Sequence, residues 1–397
     1  MDVMCKRLVV VCFLNQLGFQ AAYFVGIIGC ATYALGADAV GVSVLVFVMN
    51  VVMLVGYSLA GALIDAMGPR PVLAGALAGP LAAAAVMFAA PLSMASLLAV
   101  SVVMGLSGAA ASTAVETFPR YLTADEPTLV RVNSLASVAT FAAVIAGPLL
   151  AGAIAGAADN RLVFAVLPLT SVPGVAAALT LRERVRPKRE GSGDEPARSL
   201  FSRIADGVRA CAESPALIVL FLVCFLGNLG FGAFDSLESL FYRDVLRVGA
   251  EWMGWLTAIV GVGATVGSLL APRVPPKRVT LPVLCGLLVL EGLGAVRYTA
   301  TPLVWCAAAG QLVLGVANGM IMPLRVTLTQ RNCELASLGS VSALMRVGIS
   351  VSGTLPLLAA PFLAEALGVQ AVLVSASALV AATGAVLVVV ARRVREA

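Results

Sequence analysis

The chain has 397 residues, of which 60% are hydrophobic and 12% charged, with a net charge of +5 and a mean hydropathy of +1.00. Soluble domains carry about 25% charged residues, so a water-soluble fold of this length is excluded. Histidine is absent, which removes the commonest general base and metal ligand. The eight cysteines form no CxxC pair, and Cys12, Cys30, Cys224, Cys285 and Cys306 fall in apolar stretches, where they read as small buried hydrophobes. No cofactor or metal is expected, and no nucleic acid partner.

Apolar stretches of about 20 residues, the length that crosses a ~30 Å hydrocarbon core as helix, recur along almost the whole chain. Runs such as Leu97 to Val103 lack the period-two alternation of barrel strands, and helices satisfy their own backbone in lipid. In chain order the spans are predicted at roughly 8–33, 40–63, 72–90, 94–118, 132–156 and 162–181, then 216–241, 252–271, 280–297, 302–322, 338–360 and 368–391. The first run is longer than a signal-peptide core and lacks a small-residue cleavage site, so it is expected to stay in the mature protein.

Lys and Arg fix the direction. One set of loops, with both tails, holds Lys6, Arg7, Arg70, Arg120, Arg131, the eight from Arg182 to Arg209, Arg273, Lys277, Arg278, Arg325, Arg331, Arg392, Arg393 and Arg395, which is twenty-one of 26. The other set holds Arg161, Arg243, Arg247 and Arg297, and Arg346 lies within a span. The positive-inside rule then places both termini in the cytoplasm. The expected location is a bacterial cytoplasmic membrane, crossed many times.

The chain repeats itself. Phe13-Leu14-Asn15-Gln16-Leu17-Gly18-Phe19-Gln20-Ala21 returns as Phe225-Leu226-Gly227-Asn228-Leu229-Gly230-Phe231-Gly232-Ala233, six identities in nine at a shift of 212. Gly36-Ala37-Asp38 followed by Gly41 returns as Gly249-Ala250-Glu251 followed by Gly254, so an acid opens both span 2 and span 8. A shift of six spans keeps the repeats in one orientation, the parallel arrangement of two halves about an axis normal to the membrane. The predicted organisation is a six-helix bundle over 1–181, a charged cytoplasmic linker over 182–214 and a second six-helix bundle over 215–397. Within the linker, Ser199 to Glu213 is expected to form a short surface helix with Leu200, Phe201, Ile204 and Val208 on one side.

Between spans 2 and 3 stands Gly61-Ala62-Leu63-Ile64-Asp65-Ala66-Met67-Gly68-Pro69-Arg70, which resembles the G-x-L-x-D-x-x-G-R-R loop of the major facilitator superfamily, with Gly61, Asp65, Gly68 and Arg70 at matching positions. The resemblance implies an all-α fold of twelve transmembrane helices in two pseudo-symmetric bundles, and a gate at this loop that breaks and re-forms during transport. An acid at a helix end can pair with arginine or a helix N-terminus, which suits such a gate. Span 5 holds Gly147-Pro148-Leu149-Leu150-Ala151-Gly152, which looks like the shortened G-P-x-x-G-G element of the superfamily's exporters, with Gly147, Pro148 and Gly152 matching. Arg131-Val132-Asn133-Ser134-Leu135 and the segment from Thr327 to Leu344 resemble the macrolide and enterobactin exporter branch. Ser101, four residues before Gly105, stands where many proton-coupled exporters carry arginine.

Ionisable residues inside spans are costly and ask for a partner or a wet cavity. Asp235 and Glu238, at i and i+3, share a face of span 7 and with Arg346 of span 11 are the proton-coupling candidates; meeting water or Arg243 is the simpler fate of the two acids. Arg346 either balances a carboxylate or binds an anionic group. Glu291 in span 9 reads as half of a structural pair or as a lipid-side polar contact. Asn15, Gln16 and Gln20 in span 1 and Asn228 in span 7 are candidate substrate contacts or interhelical hydrogen-bond formers. Phe19, Tyr23, Phe231 and Phe234 are candidate apolar walls for an amphipathic or hydrophobic small-molecule substrate.

The leading expectation is a proton-driven secondary exporter working by alternating access, monomeric in the bilayer; no G-x-x-x-x-G-K-[ST] loop for direct ATP use is present. Uptake or lysophospholipid flipping on the same fold is the alternative direction. A non-transporting membrane sensor is the alternative class, and an enzyme is not expected without histidine or a clustered cysteine site.

Overall fold

The computed structural model describes residues 3–123, 125–183, 200–333 and 338–394. Among these residues every regular element is helical, and 12 helices are long and apolar enough to cross a membrane. They run Val3–Ala34, Ala39–Ile64, Pro69–Ala89, Met94–Leu122, Leu135–Ala157 and Asn160–Thr180, then Pro215–Leu246, Glu251–Leu270, Leu281–Thr299, Val304–Thr329, Leu344–Leu367 and Val369–Ala391. These are spans 1 to 12, and the fold is the all-α membrane architecture expected.

Polar residues start the helices. Asp38 caps span 2 by accepting from the Gly41 N–H at 2.8 Å, so the acid of the repeated Gly-Ala-acid motif is a helix cap. Ser93 and Ser96 form a reciprocal capping box at span 4. Asp125 accepts from the Thr128 backbone and hydroxyl ahead of span 5, and these bonds hold its carboxyl below the usual range. At the other end of span 2, Gly68 has φ +84°, a left-handed turn that L side chains rarely adopt, and Pro69 immediately opens span 3.

The chain forms two compact units. The first is Met1–Gly191 with Arg247–Ala258, and the second is Ser192–Leu246 with Ile259–Ala397, so span 8 is shared. In the first unit span 4 packs between spans 2 and 3, and span 6 between spans 1 and 3. Leu8, Val11 and Cys12 of span 1 join Leu73, Leu77, Phe118 and Leu181 in its core. In the second unit span 9 packs between spans 10 and 12, and span 7 between spans 11 and 12. Leu220, Val223, Leu284, Leu288, Leu328 and Val380 are central to that core.

Three spans depart from the continuous helices expected. Span 7 is broken: its first α-helix covers Pro215–Phe231 and a second covers Phe234–Leu240, continued by π winding over Phe241–Leu246. Span 1 is α-helical over Val3–Gln20 and π-wound over Ala21–Ala34. Gln20-Ala21 and Gly232-Ala233 are equivalent in the repeat, so both halves change winding at the same point. Span 11 is also interrupted, between Leu338–Thr354 and Pro356–Leu367, and a Cβ added at Gly232 would lie 2.5 Å from the Gly353 carbonyl oxygen. The breaks of spans 7 and 11 therefore face each other, and glycine at 232 is what admits the approach.

The linker helix forms over Leu200–Glu213 and packs on spans 7 and 11. Its bundle-facing positions are Gly207, whose added Cβ would meet the Ser340 carbonyl oxygen at 2.5 Å, and buried Cys211, whose thiol burial raises in pKa. Val208 is 51% exposed, so it lies away from that face. The side chains of Leu200, Phe201 and Ile204 lie outside the described residues, as does the linker over 184–199.

Candidate functional site

The second unit contains a buried polar centre built from three spans. Glu238 sits on the short helix after the span 7 break, where the change of winding turns it toward spans 9 and 10. Its Oε1 accepts from the Tyr242 hydroxyl at 2.9 Å, the Tyr298 hydroxyl at 2.6 Å and Gln311 Nε2 at 3.0 Å. The Tyr298 bond is the shortest of the three. All three donors are neutral, and no basic side chain pairs with Glu238 among the described residues. Oε2 accepts no hydrogen bond among the described residues, so this oxygen can take up a proton without breaking the three bonds.

An aromatic wall fixes the donors. The Tyr298 ring lies 5.9 Å from Phe234, 5.5 Å from Phe241 in edge-on contact and 6.3 Å from Tyr242. Tyr298 and Tyr242 are among the largest fully buried side chains, so their hydroxyls have little freedom to turn away. Asp235, one turn before Glu238, is exposed and makes no hydrogen bond among the described residues. Two carboxyls one helical turn apart thus differ: one is held by three donors, the other faces accessible space.

Arg243, the sequence neighbour that offered Glu238 a partner, instead binds the adjacent Asp244 at 2.7 Å. Arg346 does not join the group. It lies eight residues into the helix Leu338–Thr354, about 12 Å from the linker-side end, whereas Glu238 lies eight residues, about 12 Å, before the opposite end of span 7. Glu291 is 5% exposed and accepts from Asn318 Nδ2 at 2.9 Å, a pairing of spans 9 and 10.

In the first unit, the side chains of Asn15, Gln16 and Gln20 are half-buried and make no hydrogen bond among the described residues. Phe19 stacks on Tyr23 with centroids 6.1 Å apart and packs on Gly108 of span 4, where an added Cβ would meet its ring at 2.6 Å. In the second unit Asn228 donates to its own helix at Cys224 O, 2.8 Å, and Phe234 is buried against Tyr298, while Phe231 remains half-buried. Neutral amides of span 1 therefore keep their hydrogen-bonding capacity, and that of Asn228 is partly used.

The span 5 element is a double crossing. A Cβ at Gly147 would meet the Leu17 carbonyl oxygen of span 1 at 2.9 Å, and one at Gly152 would meet the Glu251 carbonyl oxygen at 2.7 Å. Gly254 in turn packs directly on the Pro148 carbonyl oxygen. Small residues on both helices bring the backbones together, all within the first compact unit. At the span 2–3 loop, the Arg70 guanidinium donates to the Leu179 carbonyl oxygen and the Arg70 backbone N–H donates to Glu183 Oε1 at 3.3 Å, tying the loop to the end of span 6. A Cβ at Gly68 would meet Glu183 Oε1 at 2.7 Å, whereas Gly61 faces open space. Asp65 lies in the last turn of the helix Ala39–Met67, and its side chain falls outside those described.

Tyr298, Gln311 and Tyr242 are the site residues that sequence reading missed. Gln311, a glutamine inside the largely apolar span 10, is the one signal that pointed to them.

Comparison with known proteins agrees with this architecture. The family model described as Major Facilitator Superfamily matches residues 8–355. A mutant of the nucleoside transporter NupG superposes with a TM-score of 0.73 at 12% identity, covering 98% of this chain and 99% of that one. A bacterial homologue of the human lysosomal transporter Spinster, in an inward-facing and unoccupied conformation, gives 0.72 at 15% identity over 98% and 96%. No curated protein sequence matches significantly.

Proposed function

Because this chain belongs to the major facilitator superfamily, a family of membrane transporters, we propose that it is a proton-driven exporter that moves a small amphipathic or hydrophobic compound outward by alternating access. The carrying observation is Glu238, an intramembrane carboxyl held on one oxygen by three neutral donors and open on the other. A group so arranged can gain and lose a proton while its anchor stays in place, and exposed Asp235 one turn away provides a second carboxyl on the proton's path. Asn15, Gln16 and Gln20, with Phe19 and Tyr23 alongside, supply unspent hydrogen bonds beside aromatic surface, which suits an amphipathic substrate. The exporter direction is supported by Gly147, Pro148 and Gly152, whose two-sided close packing gives the exporter-like element a structural purpose. The excess of Lys and Arg on one set of loops supports a bacterial cytoplasmic membrane with both termini cytoplasmic.

The test begins with a panel of toxic compounds, comparing a deletion strain with an overexpressing one. Any compound against which the protein protects is then followed in everted vesicles under a pH gradient. Transport is expected to stop when the gradient is collapsed and in D235N and E238Q, with normal membrane levels of both variants. Gradient-independent transport, or full activity of both variants, refutes the proton-coupled reading.

A further inference from the structure

Arg325 has no loop to live in. Span 10 continues as helix past Pro323 to Arg331, so Arg325 lies inside the apolar span Val304–Thr329 and not in the loop that its charge suggested. Helical side chains tilt toward the helix N-terminus, which for span 10 is the end away from the linker. Arg325 therefore leans back along span 10, away from the linker-side end of the helix. Its guanidinium Nη1 lies 3.5 Å from Cys224 Sγ on span 7, and Cys224 is nine residues, about 13 Å, into that helix from Pro215.

At that depth the partners are poor. The half-buried guanidinium meets Cys224 Sγ and, through Nη2 at 3.5 Å, Met322 Sδ; among the described residues it has no carboxylate and no carbonyl partner. Sulfur is a weak acceptor, and arginine carries five N–H donors in a fixed fork. The linker-side halves of spans 7 and 9 to 12 contain no Asp or Glu. The nearest acid of span 9 is Glu291, already bonded by Asn318, and Glu334 beyond span 10 lies outside the described residues. A second cation stands at similar depth: Arg346 precedes by two residues Gly348, whose added Cβ would touch the Phe221 ring one turn from Cys224. Among the described residues the Arg325 guanidinium is held by sulfur alone, and an anion arriving from outside the protein would fill its remaining donors.

We propose that Arg325 is an anion-binding site on the linker side of the second unit, taking a carboxylate, phosphate or sulfate group through its guanidinium fork. The inference deepens the transport reading, and rests on it for its consequence: the exported amphiphile carries an acidic group. The same chemistry could arrive on a lipid headgroup, and the experiment separates the two sources.

The protein is placed in phosphatidylcholine nanodiscs and its thermal unfolding followed against decyl phosphate below its micelle concentration, with decyltrimethylammonium as the cationic control. Decyl phosphate should stabilise the wild type, R325Q should raise its half-saturating concentration at least about tenfold, and R325K should fall between. The cationic control should not distinguish the variants. If doping the nanodisc with phosphatidylglycerol stabilises the wild type but not R325Q, and removes the response to decyl phosphate, the site stands with a lipid headgroup as its source. Equal half-saturation in wild type and R325Q overturns the site. Should R325Q fail to purify as a single species, the wild type decides: its half-saturation must rise with ionic strength, and indifference to salt overturns the site equally. Binding needs no gradient, so Arg325-dependent binding without movement in proteoliposomes defeats the transport reading alone. Transport of an anionic compound unchanged in R325Q defeats the inference alone.

Discussion

The bond from Tyr298 to Glu238 offers the sharpest test of the polar centre, because Tyr298→Phe removes one hydroxyl and keeps the ring that Phe234, Phe241 and Tyr242 pack against. At 2.6 Å it is the shortest of the three bonds on Oε1. Hydrogen bonds to charged groups contribute about 1.5–3 kcal/mol, and neutral ones about 0.5–1.5 kcal/mol. Y298F in the wild type should therefore cost about 1.5–3 kcal/mol if Glu238 is charged there. In an E238Q background, where the same oxygen is a neutral amide acceptor, the cost should fall to about 1 kcal/mol. The coupling between the two positions is then about 1–2 kcal/mol, well above the few tenths found for independent sites. Reversible unfolding of the purified protein in mixed micelles, at neutral pH, gives all four corners of the cycle. A Y298F cost below about 0.5 kcal/mol, or the same cost in both backgrounds, would refute the claim that this hydroxyl holds a carboxylate.

Two further outcomes follow from close packing and from the second buried acid. Gly254→Val forces a branched side chain onto the Pro148 carbonyl and should destabilise the protein by at least about 1–3 kcal/mol, read as a lower unfolding temperature, while Gly61→Ala, which faces open space, should leave it unchanged. Asn318→Ala strips Glu291 of its donor and should cost about 1–3 kcal/mol, whereas Glu291→Gln, which keeps an oxygen facing Asn318, should cost less than half as much; the reverse order in thermal unfolding would overturn the pairing.

The number of spans and the repeat were legible in the sequence because each is carried by many residues at once: a twenty-residue apolar run, or six identities in nine. Asp38 was legible as the residue that opens span 2, since a cap acts on N–H groups three residues away. The partners of Glu238 were not legible. Arg243, five residues on, is claimed by the adjoining Asp244, and Tyr298 is 60 residues distant in sequence, brought close only by the packing of spans 7 and 9. Arg325 was misplaced for a related reason. Its charge suggested a loop beyond a span ending near 322, but a membrane helix tolerates proline where neighbours re-satisfy the freed backbone, and span 10 runs through Pro323 to Arg331. The inner face of the linker helix escaped notice because it presents Gly207 and Cys211, small residues that give little apolar signal, in place of the larger side chains.

Span 8 belongs in part to the first compact unit and in part to the second, and this sets an order on biosynthesis. A nascent chain that has delivered six spans to the membrane still lacks the residues from Arg247 to Ala258 that complete its first bundle, so the bare Pro148–Gly152 surface must wait through the linker and all of span 7. Until then it is a target for insertion-assisting chaperones or for mispairing with other small-residue helices. A polypeptide cut within the linker would yield a front fragment that stays incomplete until the back fragment is synthesised beside it.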